Sequence, residues 1–184
     1  MSTPGTRNLL LPVAATAILL AGCDSSVDGA ATPSAPSTST RTSSPASANP
    51  FSGMDPCALV DRLLAGKGFP KATPTVADSK RSCAAQKPNV GTTDGADVGI
   101  ALQNGQLYTD NINNPSTARR GDVNGRPSIE QPEPLGSPGQ CQVGMAVAPN
   151  SRALVLVTGG SDTAVSCQTA EDLATKLEPL LPPA

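Results

Sequence analysis

Apolar residues recur at every second position in two stretches of the chain. In "ADVGIALQN", Val98, Ile100 and Leu102 alternate with small or polar residues. The segment 141–147 repeats this alternation with Cys, Val, Met and Val, and an almost wholly apolar run follows at 153–158 after a turn over 149–152. A period of two is typical of β-strands with one buried face. The pattern therefore predicts antiparallel strands, with a further short strand around Cys83.

Two Asn-Gly pairs are the strongest turn signals. Asn-Gly favours the tight turn that joins two antiparallel strands, since both residues accept positive φ angles. Asn104-Gly105 follows the first alternating stretch, and Asn124-Gly125 lies in "GDVNGRPSIE". We expect a hairpin turn at each pair, although Pro127 weakens the second prediction because proline cannot donate to a strand ladder.

Helical periodicity appears at the two ends of the predicted domain. Asp55 and Pro56 are typical of a helix start, and Gly66 or Gly68 of its end. At the carboxyl end, apolar residues share one side of a helix, and Asp162 or Ser161 is its expected cap. That stripe comprises Cys167, Ala170, Leu173, Ala174, Leu177 and Leu181. The prediction is an α+β fold: a mainly antiparallel sheet flanked by an N-terminal and a C-terminal helix.

Residues 1–22 have the pattern of a secretion signal. Arg7 is followed by the apolar run Leu9–Leu20, whose twelve residues would extend about 18 Å as a helix, well short of a membrane's roughly 30 Å hydrocarbon core. Leu20-Ala21-Gly22-Cys23 resembles the bacterial lipobox, in which the cysteine receives a diacylglyceryl group before cleavage. We expect Cys23 to be a lipidated membrane anchor on the extracytoplasmic face; the alternative is an ordinary secretion signal.

The stretch that follows predicts a tether. Of the 27 residues from Asp24 to Pro50, 16 are Ser, Thr or Pro. Such a segment buries too little apolar surface to offset its ordering entropy. Residues 23–50 are thus interpreted as a lipidated cysteine and disordered linker, with a glycosylated stalk as the alternative. The α+β domain would occupy residues 51–184.

Four cysteines remain in that domain: Cys57, Cys83, Cys141 and Cys167. An even number in an exported chain predicts two disulfides. A zinc site is disfavoured because no two of them lie two to four residues apart and the chain has no histidine. The entropy of loop closure does not distinguish the three possible pairings, but the order of the predicted elements does. Cys57 and Cys167 lie early in helices, and the other two cysteines lie in strands, so each helix could be bonded to a neighbouring strand. We expect Cys57–Cys83 and Cys141–Cys167.

Composition narrows the function classes. Thirteen basic against fifteen acidic residues disfavour a nucleic-acid partner, and the lack of histidine removes His-dependent catalysis and His metal sites.

The tripeptide Arg120-Gly121-Asp122 matches an integrin-binding motif, with an ordinary turn as the alternative. Ser151 and Ser161 lack a base partner in sequence. Carboxylates that could form a glycosidase pair are Asp94, Asp97, Asp110, Asp122, Glu130 and Glu133. We expect no enzyme, cofactor or metal.

The motifs "DPCALVDRLL", "CQVGMAV" and "SCQTAEDLATKL", with a cysteine 26 residues after the first, resemble an actinobacterial lipoprotein family known as domain of unknown function 3558. Ala85, where members often have an aromatic residue, and Val165-Ser166, where they often have Asp-Pro, depart from its pattern. The resemblance implies a lipid-anchored extracytoplasmic domain without assigned catalytic residues. The layout is also similar to the sandwich of the photosystem protein PsbP and its relatives.

The expected function is a non-catalytic binding or accessory module at the cell envelope. Its partner would be an envelope protein, a glycan or a lipid, in addition to the membrane that holds its anchor. The alternatives are a structural subunit of an envelope complex and a His-independent hydrolase. An apolar cavity above about 300 Å³ would favour a lipid or small-molecule ligand, whereas a filled interior with one exposed apolar patch would favour a protein partner.

Overall fold

Seven strands and two helices make up the domain in the computed structural model, which describes residues 49–76, 78, 80–90 and 95–183. In chain order they are α1 (Pro56–Leu63), β1 (Thr73–Pro74), β2 (Ser82–Lys87), β3 (Ala96–Asn104), β4 (Arg119–Val123), β5 (Arg126–Pro132), β6 (Gln140–Ala148), β7 (Ser151–Gly159) and α2 (Thr163–Leu177), with a final 3₁₀ turn at Glu178–Leu180. The predicted α+β class is confirmed.

The strands form a single antiparallel sheet of order β1-β2-β3-β7-β6-β5-β4. The first three strands form one meander. The chain then crosses to the opposite edge, and β4 to β7 return strand by strand until β7 pairs with β3. The nine-residue β3–β7 ladder therefore joins the strands β1–β3 to the strands β4–β7 in the middle of the sheet.

One face of the sheet carries the main core. Cys83, Ile100, Val155 and Val143 stand opposite one another on four successive strands, and all four are buried. The predicted alternation is thus confirmed, because each of these strands turns its apolar set to the same side. Both helices cover this face, since each is bonded through a disulfide to a cysteine that points to it.

Both helices begin as the sequence predicts. The Asp55 carboxylate accepts hydrogen bonds from the Cys57 and Ala58 amides at 2.8 and 3.4 Å, and Pro56 is the first residue of α1. The Asp162 carboxylate caps α2 in the same way. Each cap satisfies amide groups that have no partner within the helix.

Of the two predicted hairpins, one is confirmed and one is wrong. Asn124-Gly125 joins β4 to β5, and both residues have positive φ angles. At Asn104-Gly105 the strand ends, but the partners of β3 are β2 and β7, and residues 105–118 form a long crossing segment instead. A local turn signal could not foresee that β7, 47 residues further on, takes the place beside β3. The strand after residue 148 also starts earlier than predicted, at Ser151, because the turn needs only two residues.

The crossing segment covers the second face of the sheet. Arg152 on β7 is 3% exposed, and its guanidinium donates to the carbonyls of Leu107 and Asp110 at 3.2 and 2.5 Å. Tyr108 lies over Gly144, where an added Cβ would be 3.2 Å from the Tyr108 carbonyl oxygen. The segment is therefore held by a buried cation and by close backbone packing.

Candidate functional site

The four predicted disulfide cysteines pair as expected. Cys57 bonds to Cys83 and Cys141 to Cys167, with Cα–Cα distances of 5.0 and 4.8 Å. Each bond fastens one helix to one strand. Cys23 lies outside the described residues, so its lipidation remains a prediction. No helix among the described residues is both long and apolar enough to cross a bilayer.

A cleft opens between α2 and the segment that follows α1, over one end of the sheet. Its volume is about 410 Å³. The floor is the helix-covered face of β3 and β7 at Ala96, Val98, Val157 and Gly159. The full lining is Leu64, Lys67, Phe69, Gly95, Ala96, Val98, Val157, Gly159, Gly160, Ser161, Asp162, Val165, Ser166, Thr169 and Leu173. Small-molecule sites range from about 300 to 1,000 Å³, so this cleft has the size of a ligand site.

The local sequence explains why space remains here. α1 ends at Leu63, and the chain turns at Gly66 and Gly68, which both have positive φ. On the floor, a Cβ at Gly159 would lie 3.4 Å from the Ala96 Cβ, so these two small residues leave the groove unfilled. α2 contributes the opposite wall with its first three turns.

Positive charge lies beside the apolar wall. Lys67 is exposed and lines the cleft. The Lys87 ammonium group is 5.9 Å from the centre of the Phe69 ring and donates to the Lys67 carbonyl at 3.5 Å. Asp162 is the acidic residue of the lining, and its carboxylate is occupied by two α2 amides.

A second group of charges lies where α2 crosses β5. Glu130 is buried and accepts from Arg119 at 2.8 Å, and the Glu171 carboxyl lies beside it. Burial and the neighbouring Glu171 carboxyl raise the pKa of Glu130.

The same Glu130 carboxyl lies within 4.8 Å of the Cys141 and Cys167 sulfurs. These sulfurs are bonded to each other, whereas metal binding by cysteine requires thiolates. In the folded chain these three residues are therefore a carboxyl packed against a disulfide.

The other predicted carboxylates mainly support local structure. Asp110 accepts from the Leu107 amide at 2.7 Å, and Glu133 accepts from the Thr163 hydroxyl at 2.8 Å. Asp97 accepts from the Gln86 side chain at 3.5 Å. Asp94 lies outside the described residues. Such contacts are those of turns and strand pairs and do not bring these groups to one catalytic centre.

The remaining candidates from the sequence are the Arg-Gly-Asp tripeptide and two serines. Arg120-Gly121-Asp122 lies in strand β4 rather than on the loop that adhesion motifs require, and Asp122 accepts from the Gly125 amide at 3.2 Å. The Ser151 hydroxyl is buried and donates to Asn104 at 2.8 Å. Ser161 lines the cleft.

Sequence reasoning missed the cleft and its lysines. The signal was faint: Gly95 before β3, Gly159 at the end of β7 and Gly160 after it mark strand ends with no side chains to fill space. Only the pairing of β3 with β7 brings these glycines together. Lys67 and Lys87 are likewise 20 residues apart and meet through the fold.

Taken together, these features define a disulfide-bonded α+β domain with an apolar, ligand-sized cleft between α2 and the segment that follows α1. The chain belongs to the family described as a protein of unknown function, DUF3558, whose sequence model matches residues 18–180. No characterised protein and no solved structure matches the chain.

Proposed function

We propose that this chain is a membrane-anchored, non-catalytic binding module that holds a small, largely apolar ligand in the cleft between α2 and the segment that follows α1. The observation that carries the proposal is the cleft itself: about 410 Å³, with an apolar floor on β3 and β7. A purely structural subunit has no need of such an opening, because filling it with larger side chains would stabilise the domain.

The disulfides support an extracytoplasmic location for the module. Both are formed and tie the helices that border the cleft to the sheet. Disulfides persist mainly in oxidising compartments. With the lipid on Cys23 and the tether to residue 50, the cleft would be held within reach of the membrane surface and of ligands there.

The test of the cleft uses N-phenyl-1-naphthylamine, an uncharged apolar dye whose fluorescence rises on binding. The protein is the full chain carrying Cys23→Ser, purified without detergent. We expect saturable binding that Ala96→Leu weakens at least about tenfold, since the larger side chain would fill the floor with little change in stability. Ala101→Leu is the matched control, because Ala101 lies on the same strand but on the opposite face.

Two results would contradict the proposal. Either the dye fails to bind the folded protein, or Ala96→Leu and Ala101→Leu weaken binding equally. The anchor is tested separately by intact mass of the natural product and by membrane fractionation of Cys23→Ala. We expect that variant to be released or to keep residues 1–22; unchanged membrane retention in processed form would contradict lipidation.

A further inference from the structure

We infer that the ligand of the cleft is an anionic amphiphile with an alkyl chain, such as a fatty acid or an anionic lipid. This inference rests on the proposed function and names its ligand class. It is carried by the arrangement of charge around the opening, which the apolar floor alone does not determine.

The apolar part of the site suits an alkyl chain. Its walls bring together aliphatic side chains from β3, β7, α2 and the segment that follows α1, among them Leu64, Val98, Val157 and Leu173, and Phe69 is the aromatic member of the lining. Polar ligands such as sugars would need several buried donors and acceptors. The Ser166 hydroxyl on this wall is already committed to the Gly139 and Gly159 carbonyls.

The rim favours a negative head group. Lys67 lines the cleft, and the Lys87 ammonium group lies just outside the lining, 3.5 Å from the Lys67 carbonyl and 5.9 Å from the centre of the Phe69 ring. The Asp162 carboxylate, the acidic group of the lining, accepts from two amides at the amino end of α2, so these opposite charges largely offset each other and the two lysines set the sign of the rim.

An anionic head group at the rim would therefore gain from both lysines while its chain lies on β3 and β7. A cationic head group would be repelled by the same lysines. A neutral head group would gain only from burial of the chain. These differences order three ligands that share a dodecyl chain: laurate should bind most tightly, 1-dodecanol next, and dodecyltrimethylammonium most weakly.

The experiment measures displacement of bound N-phenyl-1-naphthylamine from the Cys23→Ser chain by these three ligands, with laurate and dodecyltrimethylammonium below their micelle concentrations and dodecanol below its solubility limit. The charge variant is Lys67→Gln/Lys87→Gln. Its matched control is Lys80→Gln/Lys176→Gln, which changes net charge equally at exposed sites elsewhere. Exposed charge pairs each contribute modestly, so we expect the charge variant to weaken laurate binding about three- to tenfold and leave dodecanol unchanged. Added salt should weaken laurate binding in the parent protein.

The outcomes separate the two proposals. If laurate, dodecanol and dodecyltrimethylammonium displace the dye equally well, or if none displaces it, the anionic amphiphile is refuted while the apolar cleft stands. If the charge variant and its control weaken laurate equally, the lysines are not the recognition element and the inference is again overturned. If the dye itself does not bind, the proposed function fails with it.

Discussion

The two disulfides close loops of equal length, which allows their effects on stability to be compared directly. Each joins cysteines 26 positions apart. In the chain-entropy treatment, a bridge over such a loop stabilises the fold by about 3.5 kcal/mol at 25 °C. We therefore expect Cys57→Ala/Cys83→Ala and Cys141→Ala/Cys167→Ala each to lower the free energy of unfolding by roughly that amount.

Burial should make the second loss somewhat larger. Cys141 and Cys167 are both buried, whereas Cys57 is half-buried. Replacing both buried cysteines by alanine leaves small cavities in the core, and this adds up to about 1 kcal/mol. The difference between the two double variants isolates this packing contribution, because the entropy of loop closure cancels.

The assay is guanidinium chloride unfolding followed by far-ultraviolet circular dichroism, in the Cys23→Ser background so that no free thiol exchanges with the disulfides. Equal slopes of free energy against denaturant would show that the variants unfold from similarly compact states. With equal slopes, a loss below about 1 kcal/mol for either pair would refute the loop-entropy reasoning. A larger loss for the Cys57–Cys83 pair would refute the packing contribution.

Three further expectations concern single side chains. Arg126 is 4% exposed and donates to two backbone carbonyls and a carboxylate, so Arg126→Ala should cost about 3 kcal/mol or more in denaturant unfolding. Burial and Glu171 raise the pKa of Glu130, so the protonated carboxyl stabilises the folded state. That contribution to stability is complete below the unfolded pKa of Glu130, near 4.5, and is lost as pH rises through the folded pKa. Across that window the parent protein should lose stability relative to Glu130→Gln, by at most about 1.4 kcal/mol per pH unit; parallel pH curves would contradict this. Gly144→Val should displace the segment around Tyr108 and cost about 1–3 kcal/mol, seen as faster proteolysis within residues 105–118.

Two of these variants, Arg126→Ala and Gly144→Val, have a matched control. Glu178→Gln keeps an acceptor for Arg126 and should cost less than Arg126→Ala, since only the charge is lost. Gly121→Val on the edge strand β4 is a control for Gly144→Val, because its nearest contact is the Ser128 hydroxyl at 3.9 Å. If both glycine variants were equally sensitive to protease, close packing against Tyr108 would not be the cause.

Local rules of the chain were sufficient for much of the fold. The alternation of Val98, Ile100 and Leu102 predicted a strand with one buried face, and Asp55 and Asp162 predicted the helix starts, because strand facing and helix capping depend on residues only a few positions apart. The disulfide pairing also followed, since a cysteine early in a helix and one in a strand can be joined wherever the helix packs on that strand.

The cleft could not be predicted in the same way. Its lining comes mainly from β3, β7, α2 and the segment that follows α1, which together spread over more than 100 residues of the chain. The wrong hairpin at Asn104-Gly105 and the missed meeting of Lys67 with Lys87 have the same origin. Each depends on which distant strand becomes a neighbour, and no turn signal carries that information.

The sequence by itself determined the alternating strands, the capped helices and the disulfide frame, because those depend on periodicity, short-range hydrogen bonds and the chemistry of cysteine. Tertiary structure alone decided that β7 pairs with β3, that glycines at both strand ends leave a groove, and that two lysines stand at its rim. The physical reason is that a cavity is space left between packed elements, and that space is fixed only when those elements have come together.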